Sequence, residues 1–246
     1  MGRNEGFKNV RTLSATVPAN ELLTSVAEQL KLPLSNIARA SELAQLTDRI
    51  GMAELSAIHA QAMAALTLVD GYMLGLELLR DQASLALEPV SISSVLTEVA
   101  HALEGFAKQY RVVIELEITG KYGPVLGHRA GLRAVFMSLG QELIEAQAAH
   151  TKSARLTLAA SRSGYGITAG MYSNYEELQA VHWKQALELC GRARQPFTMM
   201  SAGSGAGIFV ADTILQAMDT RLRVGRYRRQ RGLVTVLRSS PQLSLV

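Results

Sequence analysis

The sequence predicts an α+β protein in which a two-helix hairpin precedes an α/β sandwich. Three observations lead to this prediction. Apolar residues recur at helical spacing through the first third of the chain, and the segment LALEPVSISS then breaks that period at Pro89. Beyond it, RVVIELEI alternates apolar and acidic residues, which is typical of a strand with one solvated face. We therefore expect a helical hairpin over residues 18–86 and a sandwich domain over residues 90–240, flanked by tails at 1–17 and 241–246.

The hairpin helices carry more apolar surface than one hairpin can bury. The second helix presents a stripe made of Leu55, Ile58, Ala62, Leu66, Val69, Met73, Leu76 and Leu79, and the first presents Leu23, Val26, Leu30, Ile37 and Ala44. The polar turn LTDRIG joins the two helices as an antiparallel pair. Because two such hairpins close a four-helix bundle, the pattern predicts a homodimer. Asp70 and Glu77 interrupt the stripe, which favours a packed helix over a transmembrane one.

The elements of the sandwich domain follow from changes of period along the chain. Helices are expected over 94–110, around Leu132 to Leu143, over 175–189 and from Gly207 onward, and strands in RVVIELEI, ARLTLAA, YGITAGMY, RLRVGRY and GLVTVLR. Helices on one face of a mixed sheet give an α+β sandwich.

Composition excludes several classes of protein. The hydrophobic fraction of 48% fits a globular chain, and the single cysteine, Cys190, allows neither an internal disulfide nor a zinc cluster. The histidines show no metal-ligand spacing. The segment MGRNEGFKNVRTL lacks the apolar core of a signal peptide, so a cytoplasmic location is expected.

The stretch SAGSGAGIFVADTILQAMD is the strongest chemical signal in the sequence. Gly203, Gly205 and Gly207 let backbone amides approach a ligand, and a helix that begins at once directs its positive end to the same place, which suits a phosphate. An ordinary flexible turn has the same pattern. No Gly-Lys-Ser/Thr follows, and no βαβ unit surrounds the stretch, so it is neither a Walker loop nor a Rossmann fingerprint.

Several segments match the motifs of one family in the same order. EQLKLPL spans Glu28 to Leu34, PVLGHRAGLRAVFMSLGQELIEA contains Glu142, ARQPF precedes the glycine stretch GSGAGIFVADTILQ, and RLRV and GLVTVLRSS close the domain. Together they resemble the core of sensor histidine kinases. In that family the hairpin motif is close to His-Glu-Leu-Arg-Thr-Pro-Leu, and the later segments correspond to an asparagine box, a lid, a second glycine box and two closing strands. The resemblance implies a dimerisation and phosphoacceptor hairpin followed by a Bergerat-type (GHKL) ATP-binding domain.

The matching segments differ from the family pattern at the positions that carry out phosphotransfer and bind ATP. Glu28 occupies the position of the phosphoacceptor histidine, and a carboxylate cannot form a phosphoramidate. Gln29 replaces the acidic neighbour that serves as general base. The first glycine box offers Met171 or Tyr172 where the family has the aspartate that binds adenine. Losing that charge-assisted hydrogen bond weakens adenine binding by roughly 1.5–3 kcal/mol. By its size, Tyr172 is a candidate to fill the adenine site.

The asparagine box is the ambiguous departure. The family residue that holds Mg²⁺ falls on Glu142, with Ser138 and Gln141 nearby. A carboxylate still offers oxygen to a hard cation, so Glu142 is a candidate metal ligand, while a solvated helix residue is the ordinary alternative.

The resemblance and its departures together predict a degenerate histidine-kinase-like protein, a pseudokinase of bacterial two-component signalling that acts as a dimeric interaction module. We expect no cofactor. A response-regulator-like or kinase-like protein is the expected partner, docking near Glu28, Lys31, Pro33 and Asn36. The alternative is an active ATP-dependent enzyme in which Gly203, Gly205 and Gly207 hold phosphates and Glu142 holds Mg²⁺.

The stretch RLRVGRYRRQRG concentrates positive charge near the end of the chain. Its arginines exceed the net charge of +4 of the whole chain. Three interpretations remain open: a solvated edge strand protected against pairing, a surface for an acidic protein, and a nucleic-acid surface. Tyr227 is the only aromatic residue within it, which makes nucleic acid the least favoured of the three.

Overall fold

The computed structural model describes residues 19–47, 51–80, 86–118, 120–148, 154–173 and 206–240. The predicted helix over 175–189, the glycines Gly203 and Gly205, and Cys190 lie outside the described residues. Helices α1 (Ala19–Thr47) and α2 (Met52–Arg80) form the predicted hairpin. Helices α3 (Ile92–Gln109), α4 (Arg129–Ala148) and α5 (Ala206–Ala217) belong to the sandwich.

The sandwich contains a mixed five-stranded sheet and a short two-stranded one. The strands are β1 (Glu88–Val90), β2 (Val112–Ile118), β3 (Val125–Gly127), β4 (Ala154–Ser163), β5 (Gly166–Ser173), β6 (Arg223–Tyr227) and β7 (Gln230–Leu237). The large sheet has the order β2-β4-β5-β7-β6, and only β2 and β4 run parallel. The α+β prediction is therefore confirmed.

Two strands of the sandwich were not predicted. β1 and β3 pair with each other, and Pro89 lies opposite Leu126. Each strand has three residues, which is too short for a period to show. Pro89 was interpreted as a break, but proline is tolerated in an edge strand, where its missing N–H leaves no ladder bond unmade.

The core forms where α3 and α4 cover one face of the large sheet. Ser91 caps α3, accepting a hydrogen bond from the backbone N–H of Ser94 at 3.3 Å. The apolar faces of α3 and α4 and the inward residues of β4 and β5 are fully buried: Val95, Leu96, Val99, Leu103, Leu132, Val135, Leu139, Leu143, Leu156, Leu158, Ala169 and Met171. α5 packs on α4. This contact between two helices positions the candidate site.

The hairpin lies against the helical side of the sandwich through small residues of α2. A Cβ added at Gly71 would stand 3.5 Å from Ser138 Oγ and 3.7 Å from Val210 Cγ1, so this part of α2 lies close to both α4 and α5. Ala64 and Ala65 are also buried on α2. Large apolar residues remain exposed on the hairpin: Leu34, Leu43, Met52, Leu55, Met63, Leu66 and Met73. No helix among the described residues is long and apolar enough to cross a membrane.

Candidate functional site at the hairpin and sandwich interface

The site is built around the contact between Glu142 of α4 and the first turn of α5. The backbone N–H of Gly207 donates a hydrogen bond to Glu142 Oε1 at 3.1 Å. N–H groups in the first turn of a helix have no partner within the helix, and they carry its partial positive charge. Glu142 is only 2% exposed, so its carboxyl group is buried against this helix end.

Glycine is required at position 207 by the closeness of the two helices. A Cβ added there would lie 2.8 Å from Glu142 Cγ and 3.1 Å from the backbone oxygen of Ser138. Both distances are shorter than ordinary carbon contacts. Gly207 therefore allows α5 to approach α4 closely enough for its N–H to reach the carboxylate.

A second carboxyl group, that of Glu145, lies one helical turn further along α4. Burial raises the pKa of Glu145 to about 8, and the negative charge of Glu142 adds to the increase, while a hydrogen bond with Tyr110 opposes it. Burial likewise raises the pKa of Tyr110 to about 12. Burial beside a second carboxyl group therefore favours the protonated form of Glu145.

Amide side chains connect this carboxyl pair to the hairpin. Gln61 of α2 donates from Nε2 to Gln109 Oε1 at 2.8 Å and is also hydrogen-bonded to Tyr110. Gln109 in turn donates to the backbone oxygen of Ala57 on α2 at 3.4 Å. A cleft of about 270 Å³ opens beside these amides, and Asn36 of α1 lines it. The hairpin is thus attached to the sandwich by polar contacts as well as by close packing.

The hairpin covers the carboxyl pair. A narrow cleft of about 20 Å³ is lined on one side by Pro33, Gln61, Ala64 and Leu68 of the hairpin and on the other by Phe106, Gln141, Glu142 and Glu145. That volume is about the size of a single water molecule.

The two candidate residues of the first glycine box lie on opposite faces of β5. Met171 is fully buried among the helices, 3.3 Å from a Cβ placed at Gly140. Tyr172 points to the other face of the sheet, where its ring lies 5.2 Å from the ring of Tyr227. Alternation along the strand directs Tyr172 away from the helices, so it cannot fill a site on their side of the sheet.

The predicted docking residues of α1 have different environments. Lys31 is exposed, Asn36 is half-buried in the larger cleft, and Pro33 is buried in the narrow one. Glu28 lies within α1, but its side chain is outside the described residues. Of the predicted set, Lys31 is exposed to an outside partner, whereas Pro33 and Asn36 face the sandwich.

Sequence reasoning identified Glu142 and Gly207 but not the residues that complete the site. Glu145, Tyr110 and Gln61 belong to no motif, and they meet only because the hairpin folds onto α3 and α4. The one available signal is that Gln141, Glu142 and Glu145 are polar residues in an otherwise apolar stretch of α4. Among the described residues, no three His, Cys, Asp or Glu side chains are arranged to hold a metal ion.

A two-helix hairpin followed by this sandwich, with α4 and α5 meeting beside the hairpin, is the architecture of a histidine kinase core with a GHKL-like domain. Solved structures agree. Acinetobacter baumannii histidine kinase AdeS matches with a TM-score of 0.52 at 18% identity, covering 87% of this chain and 98% of AdeS. Full-length ShkA in complex with AMPPNP matches with a TM-score of 0.51 at 16% identity, covering 90% of this chain and 46% of ShkA. The catalytic domain of histidine kinase ThkA matches with a TM-score of 0.51 at 11% identity, covering 64% of this chain and 98% of that domain.

These likenesses establish the fold: the chain has a histidine kinase core fold with a GHKL-like domain. No protein-family model and no curated protein sequence matches the chain.

Proposed function

We propose that this protein is a degenerate histidine-kinase-like signalling protein that works as a dimeric interaction module and has lost ATP-dependent phosphotransfer. One observation carries the proposal: the Glu142 carboxylate is hydrogen-bonded to the Gly207 N–H at the start of α5. In the family that the fold indicates, this helix start is the second glycine box, and its amides receive phosphate.

The carboxylate of Glu142 competes with a phosphate for the same donors. It already accepts the Gly207 N–H, and it neutralises the positive end of α5. A nucleotide phosphate brought to this helix end would meet a buried negative charge at close range, where water screens little. The described residues at this helix end therefore fit a nucleotide phosphate and its Mg²⁺ poorly.

Two further features support the loss of phosphotransfer. Neither Met171 nor Tyr172 carries the carboxylate that binds adenine in the family, and their side chains lie in the core and on the opposite face of the sheet. Glu28 stands at the phosphoacceptor position, and its carboxylate cannot carry a phosphoramidate.

The exposed apolar residues of the hairpin support a homodimer. Met52, Leu55, Leu66 and Met73 are 81%, 46%, 55% and 64% exposed and recur along one helix. A second copy of the hairpin would bury them in a four-helix bundle. Lys31 would remain available for a response-regulator-like or kinase-like partner.

Calorimetric titration with ATP and ADP, with and without Mg²⁺, tests the proposal. We expect no saturable heat up to millimolar nucleotide. A dissociation constant in the micromolar range, about 8 kcal/mol of binding free energy, would contradict it. The Glu142→Gln variant tests the role of the Glu142–Gly207 contact. Glutamine keeps an oxygen that accepts the Gly207 N–H, but it cannot carry the negative charge of a carboxylate. Weak nucleotide binding gained by this variant would show that the carboxylate excludes phosphate.

The competing function is that of an active ATP-dependent enzyme. Two features favour it: Glu142 offers carboxyl oxygens that could bind Mg²⁺, and a glycine stands at the start of α5. Such an enzyme would phosphorylate Glu28 as an acyl phosphate, which hydroxylamine cleaves. Incubation with radiolabelled ATP followed by hydroxylamine distinguishes the two functions: labelled protein that loses its label would establish the enzyme.

A further inference from the structure

The β6–β7 hairpin presents arginines along an edge of the large sheet that no other described strand covers. Among the described strands, β6 is bonded only to β7 and is the last strand in the order. No lysine occurs between residues 221 and 231, but six arginines do: Arg221, Arg223, Arg226, Arg228, Arg229 and Arg231. All are exposed except Arg231, which is half-buried.

Internal contacts hold this hairpin rigidly on the sheet. Tyr227 packs on Tyr172, with 5.2 Å between ring centroids, and Arg228 forms an ion pair with Glu117 of β2 at 2.7 Å. The Arg228 guanidinium also lies 5.4 Å from the centroid of the Tyr227 ring. These contacts fix the turn of the hairpin and use the charge of Arg228 within the molecule.

The other five arginines of the hairpin form no ion pair within the described residues. Elsewhere on the described surface, arginines do find carboxylates: Arg129 pairs with Glu98, Arg155 with Glu115 and Arg238 with Asp219. The hairpin therefore carries a local excess of positive charge that its own fold does not compensate.

The strand register increases the cost of this excess. Arg226 lies directly opposite Arg231, and like charges facing each other across two strands destabilise the pair. A carboxylate bound beside them would relieve the repulsion. The planar guanidinium suits such a ligand, because it donates two parallel hydrogen bonds to one carboxylate.

We propose that the edge of β6 binds an extended, acidic segment of a partner protein, which adds to the sheet as a further strand. Its backbone bonds to the free edge of β6, and its carboxylates meet Arg223 and Arg226. Because these two arginines are three residues apart on a strand, they lie on opposite faces of the sheet. The partner segment therefore needs acidic side chains on both of its faces.

Two other occupants fit the hairpin less well. A second copy of β6 would set arginines against arginines along the shared edge. A single-stranded nucleic acid would need an aromatic platform for its bases, and the one aromatic residue of the hairpin, Tyr227, is already packed on Tyr172.

Fluorescence anisotropy with a labelled peptide tests the inference on the full chain. The probe is an eight-residue peptide in which Glu-Glu pairs alternate with Val-Val pairs, and a peptide with Gln in place of Glu is its control. We expect saturable binding of the acidic peptide and at least about tenfold weaker binding to the R223Q/R226Q variant. The R133Q/R162Q variant removes the same charge from exposed sites on α4 and β4 and should bind within about twofold of wild type.

Several outcomes would overturn the inference. Equal loss of binding in the two double variants would mean that net charge alone attracts the peptide. Tighter binding of single-stranded or duplex DNA than of the peptide at about 0.15 M salt would replace the protein partner by a nucleic acid. A peptide that is N-methylated at alternate residues must bind more weakly, since unchanged affinity would exclude addition as a strand. If R223Q/R226Q fails to fold, R223Q alone supplies the comparison.

Discussion

The backbone N–H of Gly207 donates a hydrogen bond of 3.1 Å to the carboxyl group of Glu142 and so joins α5 to α4. Because the contact requires both a glycine and a buried carboxyl group, the two residues can be altered separately.

The closeness of α5 and α4 predicts a large cost for the Gly207→Ala substitution. The new Cβ would meet Glu142 Cγ at 2.8 Å and a backbone oxygen at 3.1 Å, so α5 must shift. We expect a loss of about 1–3 kcal/mol in the free energy of unfolding, measured by chemical denaturation.

Gly105→Ala is the matched control. Gly105 is exposed in α3, and an added Cβ would meet nothing within 4 Å. Alanine there should stabilise the protein by about 0.5–1 kcal/mol through helix propensity alone. Equal effects of the two substitutions would contradict the close packing at Gly207.

The raised pKa of Glu145 predicts that stability falls as pH rises. Below about pH 4.5 the carboxyl is protonated in both states, and between 4.5 and about 8 only the folded state keeps its proton. The unfolded state then binds fewer protons, so the free energy of unfolding decreases across this window, by up to roughly 1.4 kcal/mol per pH unit, and levels off above pH 8. Denaturation curves collected from pH 5 to 9 would measure the slope.

Glu145→Gln should remove this part of the pH dependence, because glutamine cannot lose a proton. Glu42→Gln, at an exposed position of α1, should keep the wild-type slope. A Glu145→Gln variant with the same pH profile as wild type would show that Glu145 is ionised in the folded protein at neutral pH.

The exposed stripe on α2 predicts that a charge there breaks the dimer and leaves the fold intact. Leu66 and Met73 are 55% and 64% exposed, so Leu66→Glu combined with Met73→Glu buries no charge in the single chain. We expect wild type to sediment as a dimer and the double variant as a monomer with wild-type circular dichroism. Val113→Glu, at a 56% exposed site on β2, should remain dimeric. A monomeric wild type would reject the proposed assembly.

The sequence predicts α3, α4 and the hairpin helices well, because long amphipathic segments show their period over several turns. The sequence does not predict strands β1 and β3, because three residues are too few to show alternation. The register of a family motif identified Glu142, whereas Glu145 and Gln61 come together only when α2 folds onto α4. The size of Tyr172 makes it a candidate for the adenine site. The pleat of β5, however, directs its side chain to the face of the sheet opposite the helices.

The contact between β7 and β5 predicts the largest loss of stability for a single substitution in the β6–β7 hairpin. A Cβ at Gly232 would overlap the backbone oxygen of Met171, and no side-chain rotation relieves that overlap. Gly232→Ala must therefore push β7 away from β5, and we expect a loss of about 3 kcal/mol or more in the free energy of unfolding. Gly164→Ala, in the turn between β4 and β5, meets nothing within 4 Å and should change stability by less than about 1 kcal/mol.

If Gly232→Ala stays folded, the displaced hairpin should also bind the acidic peptide more weakly, since its arginines keep their charge but lose their fixed spacing. Retained peptide affinity in a destabilised Gly232→Ala protein would mean that charge alone, without the geometry of the β6 edge, recognises the ligand.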